Sequence, residues 1–351
     1  METTHRVVVG DSRDLALPDD SVDLVVTSPP YPMIEMWDDV FGSMSDDAAA
    51  ALSDGDGERA FEAMHAVLDD VWAEVKRVLC PGGIACVNVG DATRTLDDRF
   101  RVYTNHARVL SAFEALGFDP LPDILWRKPA NSAAKFMGSG MVPPNAYVTL
   151  EHEYILVFRN GERRGFEPGA DRRYEAAYFW EERNRWFSDV WTDVRGTRQG
   201  LDDDGTRERS AAFPFAVPYR LVNMYSVYGD TVLDPFWGTG TTSLAAMVGA
   251  RNSVGVERDA DVVAGFEERV TAVSALSERV GRERLADHDT FVREVREAGD
   301  SLGYEAEHYD VPVRTKQERG ICLYAVDDLT ETAEGYRATH RPVERAPGER
   351  E

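Results

Sequence analysis

The sequence predicts an α/β fold with a mostly parallel sheet, because short apolar segments alternate with helical patterns and lead into polar loops. The segments HRVVVGD (5–11), SVDLVVT (21–27) and IACVNVG (84–90) have the apolar character of buried strands. Residues 58–79 have apolar positions at helical spacing, and PGG at 81–83 breaks that helix. A strand, a helix and a further strand in succession indicate parallel pairing. We expect a short helical crossover between the first two strands.

The alternation continues along the chain. Residues 106–116 predict a helix, and DILWRKP (123–129) and VTLEHEYILVFRNG (148–161) contain strands. From about 160 to 212 neither periodicity is clean, and arginines and aromatic residues are interleaved with Gly and Asp, which indicates an insert. A regular pattern then resumes with helix, strand, helix and strand at 215–227, 231–236, 242–250 and 253–259.

The chain beyond about residue 275 predicts a charged helix, then a hairpin of HYDVPVRT (308–315) with GICLYAV (320–326), and a disordered polar tail from about 340. We therefore expect four divisions. They are the first half of a core domain, the insert, the second half of the core and an acidic extension, at 1–159, 160–212, 213–274 and 275–351.

The composition limits the class of protein. No apolar run approaches the length of a membrane span, and the N-terminus lacks the pattern of a signal peptide, so we expect a cytoplasmic location. The three cysteines, Cys80, Cys86 and Cys322, are far apart and have no accompanying His cluster, which fits neither a disulfide framework nor a zinc site. We interpret them as buried thiols and expect no metal.

The net charge of −24 at first argues against a nucleic-acid partner, because Lys and Arg make phosphate contacts. Only four residues are lysine, the other basic residues are arginine, and Asp and Glu are spread along nearly the whole chain. This balance suggests a salt-rich cytosol, where carboxylates keep the surface hydrated and salt screens their repulsion from DNA. We therefore hypothesise a halophilic source.

A halophilic protein of this charge is expected to unfold when it is dialysed from high into low salt, because its unscreened carboxylates then repel one another. Circular dichroism at decreasing salt concentration checks this expectation. Full stability at low salt would count against the halophilic hypothesis.

A loop with two glycines follows the predicted strand at 231–236. In DPFWGTGTT (234–242), Gly238 and Gly240 let the backbone pass close to a ligand at the N-terminus of the next helix. Glu257 ends the following strand, where an acidic side chain in such folds accepts hydrogen bonds from both ribose hydroxyls. This pattern indicates a nucleotide-like ligand without a 2′-phosphate. Taken alone, the loop also fits a tight turn or a dinucleotide-binding loop.

The segment TSPPY (27–31) follows another predicted strand, so it lies at the same carboxyl edge of the sheet. The lone pair of an exocyclic amine is delocalised into its base, and an acceptor on each N–H helps that lone pair localise toward an electrophilic methyl group. Ser28 Oγ and the Pro29 carbonyl are candidate acceptors, and Tyr31 offers a flat face for an extruded base. Taken alone, the segment also fits a Pro-Pro turn followed by a core tyrosine.

The two motifs are more informative together, since each predicts the other at one sheet edge. TSPPY with DPFWGTGTT resembles the amino-methylating DNA methyltransferases, and the order, catalytic motif first, resembles the β group of that family. The resemblance covers about residues 6–270, including segments at 117–129, 152–158 and 213–221. It implies a permuted Rossmann-like, S-adenosylmethionine-dependent methyltransferase fold with a target-recognition insert.

The resemblance also assigns roles by position. The catalytic motif comprises Ser28, Pro29, Pro30 and Tyr31. The residues expected to bind S-adenosylmethionine are Asp11, Phe213, Pro214, Asp234, Phe236, Gly238, Gly240, Thr241, Thr242 and Glu257. Asp11 is expected to meet the adenine, Glu257 the ribose, and Phe213 with Pro214 the methionine end. For Asp11 a helix N-cap is the alternative.

The implied reaction is direct methyl transfer to a flipped base in double-stranded DNA, without a metal or a cysteine nucleophile. Ser28 favours N4 of cytosine, because SPPY is more typical of the N4-cytosine enzymes and DPPY of the N6-adenine enzymes. Adenine N6 is the alternative target, and a catalytically silent DNA-binding regulator is the alternative from another class. Resemblance to orphan haloarchaeal cytosine methylases suggests a short palindrome such as CTAG. Related dimers suggest a homodimer, and no restriction endonuclease partner is inferred.

The insert is the basic exception in an acidic chain, and arginine can both clamp phosphates and bind guanine with two hydrogen bonds. We therefore predict that it recognises the target DNA. The candidate DNA-binding residues are Arg172, Arg173, Arg183, Arg185, Arg195 and Arg198. The alternative is a solvated loop in which the arginines pair with Glu181, Glu182 and Asp189.

Overall fold

The computed structural model describes residues 1–128, 137–195 and 213–345. The strands are β1 (Glu2–Val9), β2 (Val22–Thr27), β3 (Leu79–Val89), β4 (Ala92–Leu96), β5 (Arg99–Tyr103), β6 (Asp119–Arg127), β7 (Met137–Gly138), β8 (Ala146–Tyr147), β9 (His152–Arg159), β10 (Val190–Trp191), β11 (Thr231–Asp234), β12 (Asn252–Glu257), β13 (Tyr304–Glu305), β14 (Pro312–Val313), β15 (Tyr324–Thr332) and β16 (Gly335–Pro342). The helices are α1 (Asp38–Met44), α2 (Asp46–Ser53), α3 (Gly57–Val78), α4 (Asn105–Ala115), α5 (Asp171–Glu175), α6 (Trp180–Trp186), α7 (Ala216–Tyr225), α8 (Thr241–Val248), α9 (Ala260–Ala264), α10 (Phe266–Val270) and α11 (Val273–Glu297), with 3-10 turns at Glu35–Trp37 and Lys316–Gly320.

Ten strands form the main sheet, in the order β10-β6-β9-β3-β2-β11-β12-β1-β16-β15. The five central strands from β3 to β1 are parallel, and β9 and β16 flank them in antiparallel pairing. The predicted α/β fold and mostly parallel sheet are therefore confirmed. From β2 the chain continues to β3 on one side, and from β11 to β12 on the other. The boundary between β2 and β11 is thus a topological switch point, where such sheets bind ligands.

Both faces of the central sheet are covered, which explains its nearly continuous apolar strands. On β2, Val25 packs into the core that contains the inner face of α3, including Trp72. Its neighbours Leu24 and Val26 point to the opposite face and pack with α7. All three of these β2 side chains are fully buried, so a polar substitution at any of them would leave a polar group in the core without a partner.

The predicted helical crossover between β1 and β2 is wrong. Residues 10–21 form turns, and β1 pairs with β12, whereas β2 lies between β11 and β3. Side chains of α3 bind backbone groups of this connection that a helix would otherwise pair internally. Arg77 donates to the Leu15 and Leu17 carbonyls, and Glu74 accepts from the Leu15 N–H. A connection of this length can therefore cross the sheet face without a helix of its own.

The two segments predicted to form a C-terminal hairpin do not pair with each other, so that prediction is wrong. The segment 308–315 supplies β14, which pairs with β13, and the segment 320–326 leads into β15, which pairs with β16. β16 in turn adds to the main sheet beside β1, and a pairing with a distant strand cannot be read from local pattern.

The predicted start of the tail, at about residue 340, is too early, since His340 and Val343 are buried. Residues 346–351 lie outside the described residues. Cys86 and Cys322 are buried as predicted, whereas Cys80 is half-buried.

A chain of buried hydrogen bonds joins β1 to β16 and β12. Thr3 Oγ1 lies 2.9 Å from His5 Nε2 and 2.8 Å from His340 Nε2, and His5 Nδ1 lies 2.9 Å from Ser253 Oγ. Burial and, to a smaller extent, the nearby His340 lower the pKa of His5 to about 3. Burial likewise lowers the pKa of His340 to about 4. Both imidazoles are therefore neutral in the folded protein at neutral pH.

The wild-type protein is expected to lose stability as the pH falls below 6.5. In this range His5 and His340 bind protons in the unfolded chain but stay neutral in the folded protein, so acid favours the unfolded state. Each depressed histidine contributes roughly 2 kcal/mol to the loss between pH 7 and pH 5. Guanidinium unfolding at constant high salt measures the change. His5→Gln removes one titrating group, so this variant should lose about 2 kcal/mol less than wild type over the same interval. An identical pH dependence in the two proteins would contradict the assignment.

Candidate active site

The two motif loops meet at the switch point. TSPPY leaves the carboxyl end of β2, and DPFWGTGTT leaves that of the neighbouring strand β11. A short hydrogen bond joins them directly, from Thr27 Oγ1 to Asp234 Oδ1 at 2.6 Å. The same carboxylate accepts from Thr242 Oγ1 at 2.6 Å, at the start of α8. The structure thus brings the catalytic loop, the glycine loop and the helix N-terminus together, as the sequence predicts.

The Asp234 carboxylate is held by hydrogen bonds from neighbouring groups of the protein. Its side chain is 3% exposed and accepts hydrogen bonds from Thr27, Thr242 and the Phe236 N–H. Burial raises the pKa of this carboxyl to about 6, and the two threonine hydroxyls oppose that rise. The side chains of Asp234 and Thr242 thus hold the two motif loops together. Their predicted contact with the cofactor stays a prediction.

Both glycines of the loop adopt left-handed backbone conformations, which favour glycine. Gly238 and Gly240 have φ values of +53° and +77°, and a Cβ at Gly240 would come within 2.7 Å of ring atoms of Phe266 and Trp237. Glu257 closes the loop, because its Oε2 accepts the Gly238 N–H at 2.9 Å. Phe236 packs against Trp72 of α3 with ring centroids 5.7 Å apart, and Thr241 begins α8.

Asp11 stands just beyond β1, which neighbours β12 and therefore Glu257. No helix follows Asp11, so the alternative role as a helix N-cap is wrong. Its carboxylate pairs with the Arg13 guanidinium at 2.7 Å, and that hydrogen bond lowers the pKa of Asp11. An open depression of about 510 Å³ lies here, lined by Asp11, Arg13, Asp14, Asp70, Ala73 and Glu74.

These features fit a bound nucleoside: acidic residues at the ends of two adjacent strands, a glycine loop, and an open depression between the loop after β1 and α3. Phe213 and Pro214 precede α7. Phe213 is 8% exposed and belongs to the core around α7, and the Pro214 carbonyl accepts the Val217 N–H at 2.9 Å. Their predicted contact with the methionine end of the cofactor stays a prediction.

Ser28 and Tyr31 belong to a polar network that extends beyond the motif. Tyr31 Oη lies 3.0 Å from Ser28 Oγ and 3.1 Å from Glu153 Oε2. Asn88 Nδ2 lies 2.8 Å from Tyr31 Oη and 2.7 Å from Glu153 Oε2. Lys128 Nζ pairs with Glu153 Oε1 at 2.6 Å. Burial and then the charge of Glu153 raise the pKa of the Tyr31 phenol well above its ordinary value, so Tyr31 is protonated at neutral pH.

The sequence predictions missed Asn88, Lys128 and Glu153. The signal was present, because Asn88 is a polar residue near the end of an otherwise apolar strand, and Lys128 and Glu153 lie at the ends of two further strands. Identifying them required the strand order β6-β9-β3-β2. Gly90 completes the arrangement, since a Cβ there would lie 3.0 Å from the Tyr31 ring and 3.2 Å from Glu153 Cγ.

The insert is packed against the body of the protein through part of its aromatic residues, whereas Tyr174, Trp180 and Phe187 are exposed. Trp186 and Trp191 are 3% and 1% exposed and belong to the core on the α7 face. Five of the six candidate arginines are exposed: Arg172, Arg173, Arg183, Arg185 and Arg195. Arg198 lies outside the described residues. The exposed arginines are therefore placed where a duplex can reach them.

In the alternative, the insert arginines pair with acidic residues of the insert itself. This pairing is wrong for Glu181 and Glu182. Glu182 is buried and binds Arg284 of α11 through two hydrogen bonds, at 2.6 and 2.8 Å. Glu181 lies 2.9 Å from His288 of α11, and among the candidate arginines Arg185 pairs with Asp287 at 3.3 Å. Glu181 and Glu182 thus fix the insert to the C-terminal extension instead of pairing with its exposed arginines.

Alanine at Arg172, Arg173, Arg183 and Arg185 together is expected to raise the Kd for duplex DNA at least tenfold and to weaken its salt dependence. The physical reason is that each lost phosphate contact removes about 0.9 from the slope of log K against log salt. Fluorescence anisotropy at several salt concentrations measures both. The matched control replaces four exposed arginines of α11: Arg279, Arg282, Arg293 and Arg296. Equal weakening by both variants would contradict a recognition role for the insert.

Metal-binding clusters and membrane-spanning helices are both absent from the described residues, 1–128, 137–195 and 213–345. These residues contain no group of three or more His, Cys, Asp or Glu side chains that could hold a metal ion. None of their helices is long and apolar enough to cross a membrane.

The fold and the site define a class of protein. A parallel sheet with a switch point, a glycine loop at a helix N-terminus, and an SPPY loop on the adjacent strand are the features of an S-adenosylmethionine-dependent methyltransferase.

Residues 22–268 match the model of the N6/N4 methyltransferase family, described as DNA methylase. The type II methyltransferase M.MthZI of Methanothermobacter thermautotrophicus is 49% identical over 92% of this chain and 91% of its own length. The type II methyltransferase M.MjaI of Methanocaldococcus jannaschii is 47% identical over 76% of this chain and 91% of its own length. The chain belongs to the N6/N4 family of DNA methylases.

Solved structures agree with this assignment. A Thermus thermophilus protein described as a putative DNA modification methylase, in complex with S-adenosyl-L-methionine, has a TM-score of 0.61 and 33% identity, covering 77% of this chain and 94% of its own. The PvuII DNA methyltransferase, which is cytosine-N4-specific, shares the fold with a TM-score of 0.53 and 19% identity, over 77% of this chain and 92% of its own. The cofactor of the family is S-adenosylmethionine, and the chain is a DNA methyltransferase that modifies an exocyclic amine.

Proposed function

We propose that the enzyme methylates N4 of cytosine in double-stranded DNA. The observation that carries the proposal is the identity of residue 28. Its serine hydroxyl lies at the switch point within hydrogen-bonding distance of Tyr31, in the SPPY form of the motif that resembles the N4-cytosine enzymes. The resemblance also suggests a short palindromic target such as CTAG.

In the proposed reaction, S-adenosylmethionine supplies an electrophilic methyl group. Ser28 Oγ and the Pro29 carbonyl accept the two N–H groups of the target amine, which lets its lone pair point away from the ring. Pro30 restricts the loop, since its ring fixes φ. Tyr31 stacks on the extruded base, and the Gly90 backbone behind its ring keeps that ring in place.

We further propose how the cofactor is held. Glu257 and Asp11, at the ends of β12 and β1, accept hydrogen bonds from the ribose hydroxyls and the adenine amine. The N–H groups at the start of α8 face the polar part of the ligand. Phe213 and Pro214 enclose its methionine end. The exposed arginines of the insert hold the duplex so that the target base reaches Ser28.

Expression in a host that lacks DNA methylation of its own tests the proposal. Single-molecule sequencing of the host DNA gives the site, and mass spectrometry of the hydrolysed nucleosides gives the base. N4-methylcytosine at one short site is the expected result. N6-methyladenine would overturn the choice of cytosine, and unmodified DNA from a host that contains folded enzyme would favour a DNA-binding regulator.

A further inference from the structure

Among the described residues, the network around Ser28 contains one carboxylate, that of Glu153, and the groups bound to it fix the direction of the hydrogen bonds. Lys128 Nζ and Asn88 Nδ2 have no acceptor capacity, and they lie 2.6 Å and 2.7 Å from the two oxygens of Glu153. An ionised Glu153 can only accept, so the Tyr31 hydroxyl, 3.1 Å away, donates to it. The opposite amide orientation of Asn88 would place its oxygen against the carboxylate, which charge repulsion disfavours.

This direction determines what Ser28 offers to the substrate. The Tyr31 proton points to Glu153, so Tyr31 Oη is an acceptor for the Ser28 hydroxyl at 3.0 Å. When Ser28 donates to Tyr31, Ser28 Oγ keeps a lone pair for the cleft besides its long contact with Asn88 Nδ2 at 3.4 Å. A neutral hydroxyl is a weak base, and a carboxylate two hydrogen bonds away increases its capacity to accept a proton.

We propose that Glu153 is the terminal proton acceptor of the reaction and acts on the target amine through Tyr31 and Ser28. The inference rests on the proposed function only in that Ser28 meets the amine. Glu153 is a positioning and proton-accepting residue and does not touch the base itself. The carboxylate that DPPY members of the family carry within the motif is here displaced to the start of β9.

Protons and charges balance along this path. The amine nitrogen forms a bond to the methyl carbon as the carbon–sulfur bond breaks, so the sulfur becomes neutral and the nitrogen becomes positive. One N–H proton then passes to Ser28 Oγ, the proton of Ser28 passes to Tyr31 Oη, and the proton of Tyr31 passes to Glu153. The product amine is neutral, both hydroxyls are restored, and Glu153 is a carboxylic acid that returns its proton to water.

The surroundings of Glu153 support this role. Within the described part of the chain, the charged or titratable groups that contact it are Lys128, directly after β6, and Tyr31 from the loop after β2, whereas β3 contributes the neutral Asn88. Burial keeps the Tyr31 phenol protonated by raising its pKa, so Tyr31 can pass a proton but does not retain a charge. The neighbouring Glu151 pairs with Arg127 at 3.3 Å and has no contact with Ser28 or Tyr31.

The first test compares Glu153→Gln with Glu151→Gln, a matched change two residues away. Single-turnover transfer of tritiated methyl groups to DNA measures the rate, whichever base is modified. Glu153→Gln is expected to lower this rate at least 100-fold, with the Kd values for DNA and S-adenosylmethionine within threefold of wild type. Glu151→Gln should keep the wild-type rate. A wild-type rate in Glu153→Gln overturns the inference and leaves the proposed function intact.

The second test moves the carboxylate. Ser28→Asp in the Glu153→Gln background places a carboxylate directly at the amine, so the double variant is expected to be at least tenfold faster than Glu153→Gln alone. A purely structural role of Glu153 predicts a double variant no faster than the slower single variant, and that result would overturn the inference. Tyr31→Phe should match Glu153→Gln, and combining the two should cost nothing more, because both interrupt one path.

The two proposals fail in different measurements. Mass spectrometry of the nucleosides decides between cytosine and adenine, whereas the non-additivity of the variants decides the role of Glu153. N6-methyladenine together with rescue by Ser28→Asp would reject the cytosine assignment and keep the proton path.

Discussion

Replacing Ser28 by alanine is expected to reduce the single-turnover rate of methyl transfer about 10²–10³-fold, because the variant lacks the acceptor that localises the lone pair of the target amine. The removed group is a single hydroxyl that bonds Tyr31 at 3.0 Å. The loop itself should stay in place, since Thr27 and Asp234 anchor it through a separate hydrogen bond. The measurement is rapid-quench transfer of labelled methyl groups with enzyme in excess over DNA.

A matched control is Ser43→Ala. Ser43 is an exposed serine of α1 whose hydroxyl bonds only to the Val40 carbonyl of its own helix. It should leave the rate and the affinities unchanged. If Ser28→Ala transfers methyl groups within threefold of the wild-type rate, Ser28 is not the amine acceptor and the SPPY assignment fails.

Arg284→Met is expected to lower the free energy of unfolding by about 3–5 kcal/mol, because it leaves the carboxylate of Glu182 buried without its charge partner. Glu182 is 1% exposed, and Arg284 binds it through two hydrogen bonds while also facing the Trp186 ring. Burial alone would lower the pKa of the Arg284 guanidinium, yet the charge of Glu182 raises it well above its ordinary value. Chemical denaturation at constant salt measures the loss.

The double variant Glu182→Leu with Arg284→Met removes both charges and should recover most of that loss. Arg282→Met on the same helix breaks an exposed pair with Glu278 and should cost less than about 1 kcal/mol. A loss below about 1 kcal/mol in Arg284→Met would show that this ion pair does not secure the insert to α11. Arg284→Met should also weaken DNA binding, since α6, which it releases, carries Arg183 and Arg185.

This anchoring changes how the insert should be tested. From the sequence, deletion of residues 165–205 is expected to abolish DNA binding and leave cofactor binding intact. The structure shows that the segment contributes Phe179, Trp186 and Trp191 to the core, each at most 3% exposed, and that β10 extends the main sheet. Deletion would therefore open the core, whereas substitution of exposed arginines changes the surface alone.

The sequence by itself determined the alternation of strands and helices and the two motifs with their place at strand ends. Strand and helix signals are local: apolar periodicity, Pro81-Gly82 after α3, and the glycines before α8 all act within a few residues. The meeting of TSPPY with DPFWGTGTT also followed from sequence, because every parallel strand presents its carboxyl end at one edge.

Only the tertiary structure decided which distant residues share that edge. Asn88, Lys128 and Glu153 lie on three separate strands or directly at their ends, and their contact with Tyr31 depends on the order β6-β9-β3-β2, which no local pattern encodes. The same holds for β16 beside β1 and for the Glu182–Arg284 pair, whose partners lie 102 residues apart. Strand order and burial arise from the packing of the whole chain, so the contact of Glu153 with Tyr31 became visible only in the folded protein.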